Sequence, residues 1–116
     1  MTVEECYKNL HGDYEQAKRI LMSDSMIEKF MLKFIDDNSY EKLMDGVKSK
    51  NIKNAFEGAH ALKGVCANLA FEELRSVTSD LTEKLRGANS FDGTDDLVEK
   101  VKESYDRVIR SLKEYK

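Results

Sequence analysis

Two stretches of this chain repeat apolar residues at alternating spacings of four and three: Ala55, Ala59, Leu62, Cys66 and Leu69 in one, and Leu97, Val101, Tyr105, Val108, Leu112 and Tyr115 in the other. That rhythm holds a narrow apolar stripe on one side of an α-helix and suits the inside of a helical bundle. Little in the sequence interrupts it. No proline occurs among the 116 residues and only six glycines do, so helix breakers and the turn chemistry of a β-sandwich are both scarce. The expected fold class is all-α, an antiparallel bundle with short connections in a single domain, at a length that buries about two-thirds of the unfolded chain's surface.

Helix starts and stops can be placed from capping chemistry. Thr2-Val3-Glu4-Glu5 matches a capping box, so a short helix begins there and is broken by His11-Gly12-Asp13. A second short helix is expected over 14–22. Ser25-Met26-Ile27-Glu28 offers another box and opens a longer helix through about Asp37, with apolar pairs Met26/Ile27, Phe30/Met31 and Phe34/Ile35. Tyr40, Leu43, Met44 and Val47 mark a helix ending near Lys50-Asn51, and a long one follows from Ile52 to about Leu69. Leu74, Val77, Leu81 and Leu85 then line a helix from Phe71 to Arg86 that stops at Gly87, suited to a left-handed C-terminal position. Thr94 is expected to cap the last helix, whose first turn carries Asp95 and Asp96 at the positive end of the dipole.

Charge and cysteine usage exclude several function classes. The net charge is -3, from 19 basic and 22 acidic residues well mixed along the chain, which is no surface for nucleic acid. MTVEECYKNL has neither the basic nor the apolar region of a secretory leader, and no run approaches the roughly 18 apolar residues of a membrane helix. The expected location is the cytoplasm, with no membrane partner. Cys6 and Cys66 lie outside any CxxC or Cys/His ligand spacing, so no metal is expected, and Cys66 reads as a small buried apolar residue.

One helix carries a second face that its core does not require. About a hundred degrees round from the 55–69 stripe runs a row of Lys53, Phe56/Glu57, His60, Lys63/Gly64 and Ala67, expected to look outward. A neutral imidazole is a nucleophile that needs no separate base, and its nitrogen holds a phosphoryl group labile enough to pass on. Lys63, one turn away, can offset phosphoryl charge as a flexible point charge. Gly64 is informative because glycine inside an exposed helix costs roughly 1 kcal/mol relative to alanine. A missing side chain there leaves clearance for a partner to reach the ring. Gly58, also mid-helix, is expected to admit a neighbouring helix instead. His11, beside a helix break with no supporting group, reads as a surface histidine.

These residues resemble a known family: Ala59-His60-Ala61-Leu62-Lys63-Gly64-Val65-Cys66-Ala67-Asn68-Leu69 is similar to the signature of the histidine-containing phosphotransfer (HPt) domain. The family has histidine, then leucine, lysine and glycine two, three and four residues on, followed by a small residue, asparagine and leucine. All stand here at those offsets. The stretches 26–37, 40–51 and 71–87 fall where such domains place the flanking helices. The resemblance implies a four-helix bundle with additional short N-terminal helices, spanning residues 1–116. It implies that His60 accepts a phosphoryl group from a receiver-domain aspartate and passes it to a response-regulator aspartate. Partners would be receiver domains of hybrid histidine kinases and response regulators; magnesium would sit on the receiver, and this chain would need no cofactor of its own. Lys63 and Gly64 would support the transfer, with Lys53, Phe56, Glu57, Ala67 and Asn68 on the docking face.

Two positions depart from the pattern. Ala70 stands where the family usually has glycine, which implies a strained or differently closed helix end. Thr82 stands twenty-two residues beyond His60, where many members have a Gln or Glu that bonds the imidazole. Its hydroxyl is carried as a weaker orienting group. With no GxxxxGK[ST] phosphate loop in the sequence, the chain reads as a carrier and not an ATP-using enzyme. Two alternatives stand beside the relay: a detached substrate domain of a chemotaxis-type histidine kinase, and a non-catalytic helical adaptor. Met1 and the finished last helix favour a free-standing protein over the first of these.

Overall fold

Capping side chains open four of the seven α-helices in the computed structural model, which describes residues 1–116 and is all-helical. Helix α1 (Val3–Leu10) opens on the expected box: Thr2 Oγ1 accepts the Glu5 N–H at 3.0 Å and Glu5 Oε1 accepts the Thr2 N–H at 2.9 Å. His11, at φ 61°, closes it in the left-handed region, and Asp13 starts α2 (Tyr14–Leu21) by accepting from the Gln16 N–H at 3.0 Å.

Helix α3 (Asp24–Lys33) corrects the expected start, because Ser23 and not Ser25 is its cap, with Oγ accepting from the Met26 N–H at 3.2 Å. The physical reason is the end of α2. Met22 turns left-handed at φ 76°, so the next residue, Ser23, has the extended backbone a cap requires and the new helix begins at once. Past Lys33 the chain tightens into a 3-10 turn, Phe34–Asp36, where a continuous α-helix through Asp37 was expected.

The remaining helices are α4 (Ser39–Lys48), α5 (Ile52–Leu69), α6 (Glu72–Leu85) and α7 (Asp95–Tyr115). Asn51 caps α5 through Oδ1, which accepts from the Asn54 N–H at 3.0 Å. Gly87 is left-handed at φ 67°, as its position implies. Thr94 holds the N-cap position of α7, its carbonyl accepting from the Val98 N–H at 2.9 Å, but its side chain does not cap the helix: it is buried, and its hydroxyl donates to the Phe91 carbonyl at 2.6 Å, inside the preceding turn.

Helix α5 sits at the centre, packed against α4 on one flank and α6 on the other, while α7 lies against α6 and α1 against α7. The α4–α5 crossing is set by two glycines. A Cβ on Gly46 would lie 2.4 Å from the Ala55 nitrogen, and one on Gly58 would lie 2.4 Å from the Leu43 nitrogen. Each helix therefore presses its backbone into a notch on the other, as expected for Gly58. Twenty-two buried apolar residues form one connected core to which every helix contributes, so the N-terminal helices are part of the packing and not an appendage. Tyr7 in α1 shows how: its ring lies against Phe71, and its hydroxyl donates to the Leu69 carbonyl at 2.7 Å, satisfying an acceptor that the end of α5 leaves open.

Both cysteines are free and buried, and burial pushes the Cys66 thiol well up and that of Cys6 to about 11, so neither is poised as a thiolate. His11 differs from expectation. Its Nδ1 lies 2.7 Å from Glu73 Oε2, and the other oxygen of that carboxylate is paired with Arg107, so one acidic group ties the α1–α2 turn to α6 and α7. Burial raises the Glu73 carboxyl, but the His11 hydrogen bond and the Arg107 charge outweigh it and hold the group below its usual range.

Candidate functional site

The outward face of α5 follows from how the helix is enclosed. Ala55, Gly58, Ala59, Leu62, Cys66 and Leu69 are buried against the neighbouring helices, which leaves one strip of the cylinder for solvent. Lys53, His60, Gly64, Ala67 and Asn68 are exposed on that side, while Phe56, Glu57 and Lys63 are partly buried along its edges. The imidazole of His60 stands in the open on an 18-residue helix held on both flanks, so its backbone is rigid while the ring is reachable.

Two flanks border the ring. On the side of α4, Lys42 Nζ reaches Glu57 Oε1 at 3.1 Å and occupies that carboxylate. On the side of α6, the Phe56 ring lies nearly parallel to His60, 12° apart with centroids 5.9 Å distant, and the Arg86 guanidinium sits 5.1 Å from the Phe56 centroid. Arg86 is also paired with Glu83, Nε to Oε1 at 3.3 Å and Nη2 to Oε2 at 3.0 Å. That hydrogen bond, followed by the Arg86 charge, holds the Glu83 carboxyl below its usual range, with Lys63 and His60 adding to the effect.

Clearance at Gly64 is complete, since a Cβ built there meets nothing within 4 Å. No neighbour within the protein explains this glycine, in contrast to Gly58. Lys63 lies beside it on the flank towards Glu83, one turn from the ring.

Thr82 does not join the group. It is fully enclosed, and its hydroxyl donates to the Thr78 carbonyl at 2.7 Å within α6, so the side chain faces the core and not the imidazole. The residues that α6 does bring near His60 are Glu83 and Arg86, which sequence reasoning missed. Arithmetic on the turn could have found them: α6 runs back along α5 from a connection at residues 70–71, so positions at similar distances on either side of it meet. Offset counting from one histidine picked Thr82, one position away and a hundred degrees round the helix.

An open imidazole with a cation and an empty space beside it is suited to trading a chemical group with another macromolecule, and the fold presents it without a cleft that could enclose a small substrate. Residues 27–111 match the Hpt domain family, which is most of the chain, from α3 into α7; the chain belongs to that family. No curated protein and no solved structure matches the chain. Membership makes this a histidine-phosphotransfer protein of two-component phosphorelay signalling, a carrier type that works with receiver and kinase components. No helix is long and apolar enough to cross a membrane.

Proposed function

We propose that His60 is the residue that carries the phosphoryl group, accepting it from a receiver-domain aspartate of a hybrid histidine kinase and handing it to the aspartate of a response regulator. The observation that carries this reading is the exposed His60 ring one turn from Gly64, where a Cβ would meet nothing within 4 Å. In the forward step a ring-nitrogen lone pair attacks phosphorus and the P–N bond forms. The P–O bond to the aspartate breaks, its electron pair leaving on the carboxylate, and the ring sheds the proton of its other nitrogen to solvent. Lys63 balances part of the phosphoryl charge. Phe56 gives the ring a platform, and Lys53, Glu57, Ala67 and Asn68 extend the strip that meets the receiver, whose own aspartates would hold the magnesium.

On the same reading the whole of 1–116 acts as one domain in the cytoplasm, with α4 to α7 as an antiparallel four-helix bundle and α1 to α3 braced against its end. The test is transfer from a phosphorylated receiver. Acid-labile, base-stable label should appear on the parent chain and be absent from His60→Gln, whose circular dichroism should match the parent's. Label persisting on that variant would move the chemistry to another residue and overturn the assignment.

A further inference from the structure

A phosphoryl group on His60 would bring up to about two negative charges to a site where Lys63 supplies only one cation on the same helix. The groups around the ring are few. From α5 come Lys63, Phe56 and Glu57; from α4 comes Lys42, which Glu57 already holds; and from α6 come Glu83 and Arg86, bound to each other. Glu83 would repel an incoming phosphoryl group, and Arg86 would attract it.

Resting on the assignment of His60 above, we propose that Arg86 is the second cation of the phosphoryl site and changes partners with the state of His60. It pairs with Glu83 while the imidazole is free and turns its guanidinium onto the phosphoryl oxygens once the group arrives. Three features of the structure support the exchange. Arg86 already lies over Phe56, whose ring is parallel to His60, so its head is one aromatic ring away from the imidazole. Its pair with Glu83 leaves the side chains 53% and 58% exposed, and such a surface pair is weakly held and easily opened. Arg86 also sits where the chain leaves the helix, at ψ 116° with left-handed Gly87 next, so no following helical turn confines its side chain. Against three phosphoryl oxygens a planar guanidinium makes two parallel bonds to a group of higher charge than the Glu83 carboxylate, so the exchange favours the phosphorylated state.

The experiment follows the lifetime of phosphohistidine. Phosphoramidate, a small-molecule donor, labels the parent, Arg86→Gln, Arg86→Lys, Glu83→Gln and, as the control for His11, His60→Gln; decay is read by phosphorus NMR. Label on Arg86→Gln should decay about three- to fivefold faster than on the parent at low salt, and the gap should close towards 0.5 M salt. Arg86→Lys should recover part of the lifetime, and Glu83→Gln should lengthen it by roughly twofold, because the cation loses its competing partner. Equal lifetimes for the parent and Arg86→Gln overturn the exchange while leaving His60 as the carrier. So does Glu83→Gln shortening the lifetime as Arg86→Gln does, the sign of a merely structural pair. A parent that takes no label, or a His60→Gln chain that keeps it, overturns the carrier assignment and the exchange together.

Discussion

Gly58 and Gly64 lie on the same helix, both inside it, and each costs α5 roughly 1 kcal/mol of helix propensity relative to alanine. Their surroundings are opposite. A Cβ on Gly58 would stand 2.4 Å from the Leu43 nitrogen, whereas one on Gly64 would meet nothing within 4 Å. At Gly58 the cost is offset within the chain, because α4 packs its backbone into the notch. At Gly64 nothing within the chain offsets it, and on the proposed function the compensation comes from the partner that docks there. A glycine explained by packing and a glycine explained by an absent partner look alike in sequence; only the neighbours tell them apart.

The comparison breaks most visibly at Gly58. Gly58→Ala should lose about 2–3 kcal/mol of stability, because the α4 backbone, not a flexible side-chain end, is what the methyl meets. A urea midpoint unchanged to within about 0.5 kcal/mol would mean that the crossing can relax and that the two glycines differ less than their distances indicate. Next in size is Gly64→Leu. Its stability should be no lower than the parent's and, by helix propensity, up to about 0.8 kcal/mol higher, while transfer from a phosphorylated receiver slows by at least about tenfold, or roughly 1.4 kcal/mol in the barrier. An undiminished transfer rate would remove clearance as the reason for this glycine.

How much of this could be read beforehand differs along the chain. The bounds of α5, the left-handed Gly87, the outward row and the role of Gly58 as a notch were all legible, because each rests on local periodicity or on a single residue's steric freedom. Ser23 displacing Ser25 as the cap of α3 was not, since the two serines are chemically alike and the choice is made by where α2 ends. Thr94 bonding back to Phe91, and His11 finding Glu73, depend on what the folded chain places beside them, which periodicity does not carry. Around His60, spacing placed the neighbours on α5 and did not place those contributed by α6. Lys63 and Gly64 share a helix with His60, so spacing alone locates them, whereas Glu83 and Arg86 depend on how two helices are rotated against each other.

A smaller effect sharpens the same contrast. Gly64→Ala should raise stability by about 0.5–1 kcal/mol, roughly 4 °C in Tm for a chain of this size, because a methyl there improves helix propensity and meets nothing. Its transfer rate should fall far less than that of the leucine variant, since a methyl fills little of the gap. No gain in Tm would show that the glycine carries no helix cost at this position, and the argument from compensation would lose its premise.

The smallest effect belongs to the end of the same helix, where the situation is reversed and a residue with a side chain occupies a glycine's conformation. Ala70 closes α5 at φ 55° and ψ 38°, in the left-handed region that costs an L-residue about 1–2 kcal/mol. Ala70→Gly removes that strain, but it also deletes a methyl that is only 2% exposed, worth about 0.8 kcal/mol of burial, and it frees the unfolded chain. The terms oppose, and the net should be a gain of no more than about 0.5 kcal/mol, read from paired urea melts. A gain well above 1 kcal/mol would mean that the buried methyl contributes nothing to packing. A clear loss would mean that, at the end of α5 as at Gly58, contact with the neighbouring backbone outweighs the conformational preference of the residue itself.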